Sequence, residues 1–86
     1  MPEISRFFGI VIKMYFDEHP PPHFHAEYGE HTAVIDIQTL SPIAGDMPPR
    51  ALGLVVEWAS QYQQQLLDLA NRAADHQSLY RIPPLR

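Results

Sequence analysis

The sequence predicts an α+β fold: a three- or four-stranded antiparallel sheet, built as a meander with a β-hairpin and packed by one long C-terminal helix. Three observations predict it. Period-two runs flank Gly29 on both sides. A β-branched and aromatic run, Phe8 to Phe16, precedes them. Apolar residues then recur at three- and four-residue steps from about Pro48 to Asp75. Strands first and helix last argue for α+β rather than for alternating α/β.

Each element can be justified in order. Phe8 to Phe16 reads F-G-I-V-I-K-M-Y-F. As a strand it places Ile10, Ile12, Met14 and Phe16 on one face, toward the core. Val11, Lys13 and Tyr15 share the other, more mixed face. Asp17, Glu18, His19 and the prolines connect it to the hairpin, and so short a loop favours antiparallel pairing. Pro20-Pro21-Pro22 cannot donate ladder hydrogen bonds, so it is expected outside the sheet as a stiff extended lead-in.

The hairpin itself can be read in register. Gly29-Glu30 suits a two-residue type II′ turn, whose first central position needs a positive φ. Tyr28 then faces His31, Ala26 faces Ala33, and Phe24 faces Ile35. On the other face Glu27 meets Thr32, His25 meets Val34, and His23 meets Asp36. The first set is mostly apolar and the second mostly polar; a one-residue slip would mix them.

After the hairpin, Ile43-Ala44 is a candidate short edge strand, because Pro42 permits only an edge position. Asp46 is the expected N-cap of the helix, with Pro48 and Pro49 in its first turn. Leu52, Val55, Val56, Ala59, Tyr62, Leu66, Leu69, Ala70 and Ala73 form the apolar stripe. Val55, Val56, Ala59, Tyr62 and Leu66 are expected to bury against the sheet. A continuous helix of that length would span about 40 Å. Ser60-Gln61 is a candidate bend. Trp58 lies off the main stripe, either as an exposed anchor for a partner or as a wider buried face. The tail, Leu79 to Pro84, is expected as one more short strand or an extended arm.

Composition bounds the function. The 86 residues suffice for one small domain, residues 1–86. A domain this size buries only about 60–65% of its unfolded surface, so a homodimer or another protein partner is expected to supplement its core. The formal net charge of -4 argues against nucleic acid as a partner through bulk charge. The chain has no cysteine, hence no disulfide framework, thiolate nucleophile or cysteine-ligated zinc. No apolar run approaches the roughly 20 residues of a membrane span, and the opening M-P-E-I-S-R-F-F lacks secretory-signal character. A soluble cytoplasmic protein is the expectation.

Candidate chemistry centres on His19 to Asp36, which holds four of the five histidines and three of the nine prolines in eighteen residues. His23-Phe24-His25 on a strand would project both imidazoles from one face, about 7 Å apart. Two neutral imidazoles can hold zinc or another divalent metal if Asp36, Glu27 or His19 supplies a third ligand. No cofactor is required by the sequence. A catalytic reading uses His23 or His25 as general base, oriented by Asp36, with Tyr15 or Lys13 stabilising charge. No Ser or Thr is placed as a nucleophile. His19, Phe24, Tyr28 and Tyr15 are the candidate binding residues around that pair. The competing expectation is a solvated polar face for the histidines and a core role for the aromatics.

These residues also carry a resemblance. P-x-I-S-R-F-F-G-I at Pro2 to Ile10, M-Y-F at Met14 to Phe16 and P-P-H-F-H-A-E-Y-G at Pro21 to Gly29 resemble the small prokaryotic domain-of-unknown-function 4160 family. A-V-I-D-I at Ala33 to Ile37 and R-A-L…V-x-E-W-A at Arg50 to Ala59 match as well. The resemblance implies no established activity. It implies a small stand-alone protein, often encoded beside another short protein of unknown function, as in toxin–antitoxin-like modules. Pro20 stands where that family often has a polar residue.

Overall fold

The first half of the chain folds as a five-stranded sheet, with the expected alternation carried by its middle strands. The computed structural model describes residues 3–16 and 19–86. The strands are β1 (Glu3–Phe7), β2 (Ile10–Lys13), β3 (His23–Tyr28), β4 (His31–Asp36) and β5 (Pro42–Gly45). They follow chain order, β1-β2-β3-β4-β5, and every neighbouring pair is antiparallel. Helices α1 (Pro49–Gln61) and α2 (Gln63–Ala74) follow.

The hairpin register is the expected one. Tyr28 pairs with His31, Ala26 with Ala33, Phe24 with Ile35, Glu27 with Thr32, His25 with Val34 and His23 with Asp36. Gly29 takes φ 58 at the turn, the conformation that a glycine adopts without steric cost. Beyond the last pair, the Ile37 N–H donates to the Pro22 carbonyl at 3.0 Å. The prolines therefore lie outside the strand, but Pro22 prolongs the ladder by one acceptor. The Pro20–Pro21 peptide is cis. The connection expected at Asp17 and Glu18 lies outside the described residues.

Several expectations need correction. The sheet has five strands, not three or four, because Glu3–Phe7 forms β1. A bulge between Glu3 and Ser5 turns both Ile4 and Ser5 inward, which hides the period-two signal. β2 ends at Lys13; Met14 is still buried, but Phe16 is 41% exposed and stacks on His76 rather than entering the core. The long helix is two helices broken at Tyr62, whose φ of -123 is not helical. The Gln63 side chain, donating to the carbonyls of Ile37 and Gln38, ties that break to the sheet. Pro48, not Asp46, is the N-cap of α1, with no side-chain cap bond. Asp46 instead donates its N–H to the Thr32 carbonyl, continuing the β4–β5 ladder. Pro42 to Gly45 is the short edge strand anticipated at Ile43-Ala44, and all four of its residues are exposed.

Both helices pack on one face of the sheet. Ile10, Ile12, Phe24, Ala26, Ala33 and Ile35 from the strands meet Val55, Trp58, Ala59, Leu66 and Leu69. Val56 is only half-buried and stands outside this cluster, so it contributes less than its place in the stripe suggests. Trp58 is fully buried, so of its two expected roles it takes the wider buried face. Its ring lies 5.3 Å from Phe7 and 5.8 Å, edge to face, from Phe24.

The tail lies as an extended arm against the outer side of β1. The Ile82 N–H donates to the Ile4 carbonyl at 2.8 Å, and the Trp58 indole N–H donates to the Pro83 carbonyl at 2.9 Å. Ile82 and Leu85 are buried. Glu3 accepts from Arg6 and Arg81, and those two guanidinium groups hold its carboxyl down to about 2. Tyr80 donates to Asp68, which Arg72 also contacts; both bonds lower the Asp68 carboxyl, and burial raises the Tyr80 phenol.

Candidate functional site

The face of the sheet away from the helices carries the residues singled out for chemistry. Lys13 pairs with His25 and Val11 with Glu27 across β2 and β3. The Lys13 ammonium lies 3.1 Å from the Glu27 carboxylate. His23 and His25 are half-buried on this face. Their ring centres are 5.4 Å apart, edge to face, and the Tyr15 ring meets His25 at 4.5 Å in the same manner.

His23 Nδ1 is 2.7 Å from the Pro21 carbonyl. A carbonyl only accepts, so this contact places the Nδ1 hydrogen toward Pro21. The expected orienting partner, Asp36, sits opposite His23 in the ladder but is used elsewhere. Its Oδ1 accepts the N–H groups of Gln38 and Thr39 at 2.7 and 3.1 Å, closing the turn after β4. Asp36 therefore serves the backbone in the described contacts.

His19, Tyr15 and His23 do come together. With Pro21 and Asn71 they line a cavity of about 330 Å³ between the β2–β3 connection and the end of α2. Phe24 and Tyr28 do not join them. Phe24 is fully buried on the opposite face, against Trp58. Tyr28 is at the far end of β3, 38% exposed. The four residues grouped as one binding set thus divide between a histidine cavity, the core and a separate surface. Among the described residues no three His, Asp or Glu side chains gather to hold a metal ion.

Tyr28 lines a second cleft, of about 380 Å³, with Phe8, Pro48, Arg50, Ala51 and Leu54. Phe8 is 61% exposed, the most exposed large apolar side chain among the described residues. Sequence reading placed Phe8 at the start of a strand. The signal that it lies in a turn was Gly9, standing between two apolar runs.

Geometry defines the class: a small α+β domain whose meander sheet is covered on one face by two helices and offers the other to its surroundings. No helix among the described residues is long and apolar enough to cross a membrane. Residues 9–69 match the family model described as Domain of unknown function (DUF4160), and the chain belongs to that family. Comparison with curated proteins and with solved structures finds no match.

Proposed function

We propose that this protein is the binding member of a two-protein, toxin–antitoxin-like pair, and that it takes a strand of the second protein onto the edge of β5. One observation carries the reading. The fold closes one edge of its sheet and leaves the other open. The arm lies along β1 through Ile82 and Arg81. Among the described residues β5 pairs only with β4, and Pro42, Ile43, Ala44 and Gly45 are all exposed. An open edge is a template for another strand. No charged side chain lies within β5 to discourage pairing.

The test is co-expression with the product of the adjacent gene, which the family resemblance implies is another short protein. Growth of the host is followed with each protein alone and with both, and the pair is isolated through a tag on one member. A stable complex is expected, weakened by Ile43→Lys; Ile43 is 50% exposed, so that change leaves the fold intact. Light scattering of the chain alone separates this reading from a homodimer, which the same edge could form. Two proteins that express well yet never co-purify would refute the pair.

A second reading, a histidine-centred metal site or small hydrolase-like centre, rests on a different observation. Tyr15, His19 and His23 line one cavity, and His25 touches both Tyr15 and His23. Zinc binding by His23 and His25 is its most direct test.

A further inference from the structure

We propose that the cleft between the β1–β2 turn and the start of α1 receives a segment of a protein partner in which a bulky apolar side chain stands next to a carboxylate. The proposal rests on the binding role argued above and names a second contact for it.

Three observations carry it. The first is the turn itself. Phe8 and Gly9 have φ of 49 and 80, and Phe7 pairs with Ile10 across them. Two positive φ values in a two-residue loop make a type I′ turn, whose first position favours Asn, Asp or Gly. An L-residue with a bulky ring is sterically disfavoured there. The chain nonetheless holds a phenylalanine at that position, with its ring exposed. A local preference given up at the surface marks a candidate contact.

The second is the wall opposite. Tyr28 lies against the turn: a Cβ built on Gly9 would be 3.5 Å from its ring. Phe8, Tyr28 and Leu54 give the cleft an apolar, largely aromatic lining. Tyrosine and arginine are the residues that most often anchor a protein interface, and apolar pockets seat the partner's side chains.

The third is charge. Among the described residues Arg50 is the one charged side chain of the lining. The other arginines of the sheet and helices are paired, Arg6 with Glu3 and Arg72 with Asp68, whereas Arg50 makes no described hydrogen bond or ion pair. The chain as a whole is acidic, with net charge -4, so this cleft is a local positive exception. The first turn of α1 beside it holds no acidic side chain. A carboxylate on the partner would complete Arg50, and an apolar neighbour would fill the space between Phe8 and Leu54. The edge of β5 runs out toward the same end of the sheet, since the turns at Phe8-Gly9 and Gly29-Glu30 and the exit from β5 share that end of the meander.

The experiment is an amide chemical-shift titration of the full chain with a capped hexapeptide carrying Phe next to Glu. A version with Gln for Glu is the control. Saturable shifts centred on Phe8, Tyr28 and Arg50 are expected, weakened severalfold with the Gln peptide. Phe8→Asn supplies the residue that the turn prefers, so its melting temperature should hold or rise while peptide affinity falls about tenfold, the scale of one interface anchor. Arg50→Glu should abolish the shifts. No saturable shift at these residues at millimolar peptide, or an unchanged affinity in both variants, overturns the proposal. The neighbouring protein gives the separating arm. A complex that Ile43→Lys weakens, but Phe8→Asn and Arg50→Glu leave alone, overturns the cleft and keeps the pair. Peptide binding without any complex keeps the cleft as a peptide site and removes the pair.

Discussion

Trp58 joins the helices, the sheet and the arm, and replacing it with phenylalanine should be costly in a specific way. The indole is fully buried among Phe7, Phe24 and Tyr62 and donates to the Pro83 carbonyl at 2.9 Å. Phenylalanine keeps most of the ring contact but removes the donor. Pro83 is exposed, so water can reach its carbonyl, and the lost bond costs about 0.5–1.5 kcal/mol. The volume lost adds about 1 kcal/mol for an incompletely refilled cavity. A total of about 1.5–2.5 kcal/mol is a sizeable share of the roughly 4–13 kcal/mol that a domain of this length has in all. It should lower the melting temperature by about 6–20 °C, at about 4–8 °C per kcal/mol for a domain this small.

The assay is urea unfolding followed by far-ultraviolet circular dichroism, in the full chain and in a chain ending at Ser78. Without the arm the indole N–H has no Pro83 to meet, so Trp58→Phe should there cost only the packing part. The two changes should therefore couple by about 0.5–1.5 kcal/mol in a double-mutant cycle. A loss below about 1 kcal/mol in the full chain, or equal losses in both backgrounds, would refute the reasoning. Trp58 is the single tryptophan, so its fluorescence in the shortened chain also reports whether the ring has become wet.

Glu3 predicts an acid limb of stability. Arg6 and Arg81 hold its folded carboxyl at about 2, below its ordinary value of 4.5. Its contribution is fully present above the unfolded value and is lost as pH falls through the window from about 4.5 to 2. Glu3→Gln should flatten the melting temperature against pH in that window, and a slope identical to wild type would exclude the Glu3 pairings as its source. Two glycines with positive φ, Gly29 in the hairpin turn and Gly45 at the end of β5, should differ sharply. Gly29 has open space for a Cβ, so Gly29→Ala should cost only the backbone term, about 1–2 kcal/mol. Gly45, at φ 71, would drive a Cβ into the Thr32 carbonyl; Gly45→Ala should cost clearly more in the same melts, and equal losses would count against the close approach of β5 to β4. His25→Ala removes the edge contacts with Tyr15 and His23 and should cost about 0.5–1.5 kcal/mol. Run with and without zinc, the same melt tests the metal reading: a zinc-dependent rise in wild type that vanishes in His25→Ala would assign the histidines to a metal.

The hairpin was fully legible because two independent signals agreed. Gly29 fixed where the chain turns, and alternation fixed which residues face inward, so the register of all six pairs followed. β1 was not legible, and the reason is the bulge. Ile4 and Ser5 both point inward, so E-I-S-R-F shows no period-two pattern to a reader who expects one. The helix break is a tertiary effect: the apolar stripe runs on past Tyr62, and only the sheet's carbonyls at Ile37 and Gln38, reached by Gln63, reveal where the second helix is tied. Asp46 had the right chemistry for a cap but was taken by the β4–β5 ladder first, one strand earlier than the helix begins.

The candidate site divides along the same line between local and non-local information. Pairing of His23 with Asp36 was visible in the sequence, because it follows from register alone. What Asp36 does there was not visible. A carboxylate beside an imidazole reads as an orienting partner, yet Gln38 and Thr39 follow it closely and offer two backbone N–H groups at shorter reach. An Asp just before a turn meets its own backbone first, and such local bonds compete well because little chain must be ordered to make them. The His19–Tyr15–His23 cavity depends on α2 folding back over the β2–β3 connection, which no spacing in the first half of the chain can announce. Phe8 is the converse case. Its neighbour Gly9 is a local signal of a turn, and the local rules then name Asn, Asp or Gly for position 8. The phenylalanine found there contradicts them, and the proposed contact would give its exposed ring, beside an arginine with no described ion pair, a physical use.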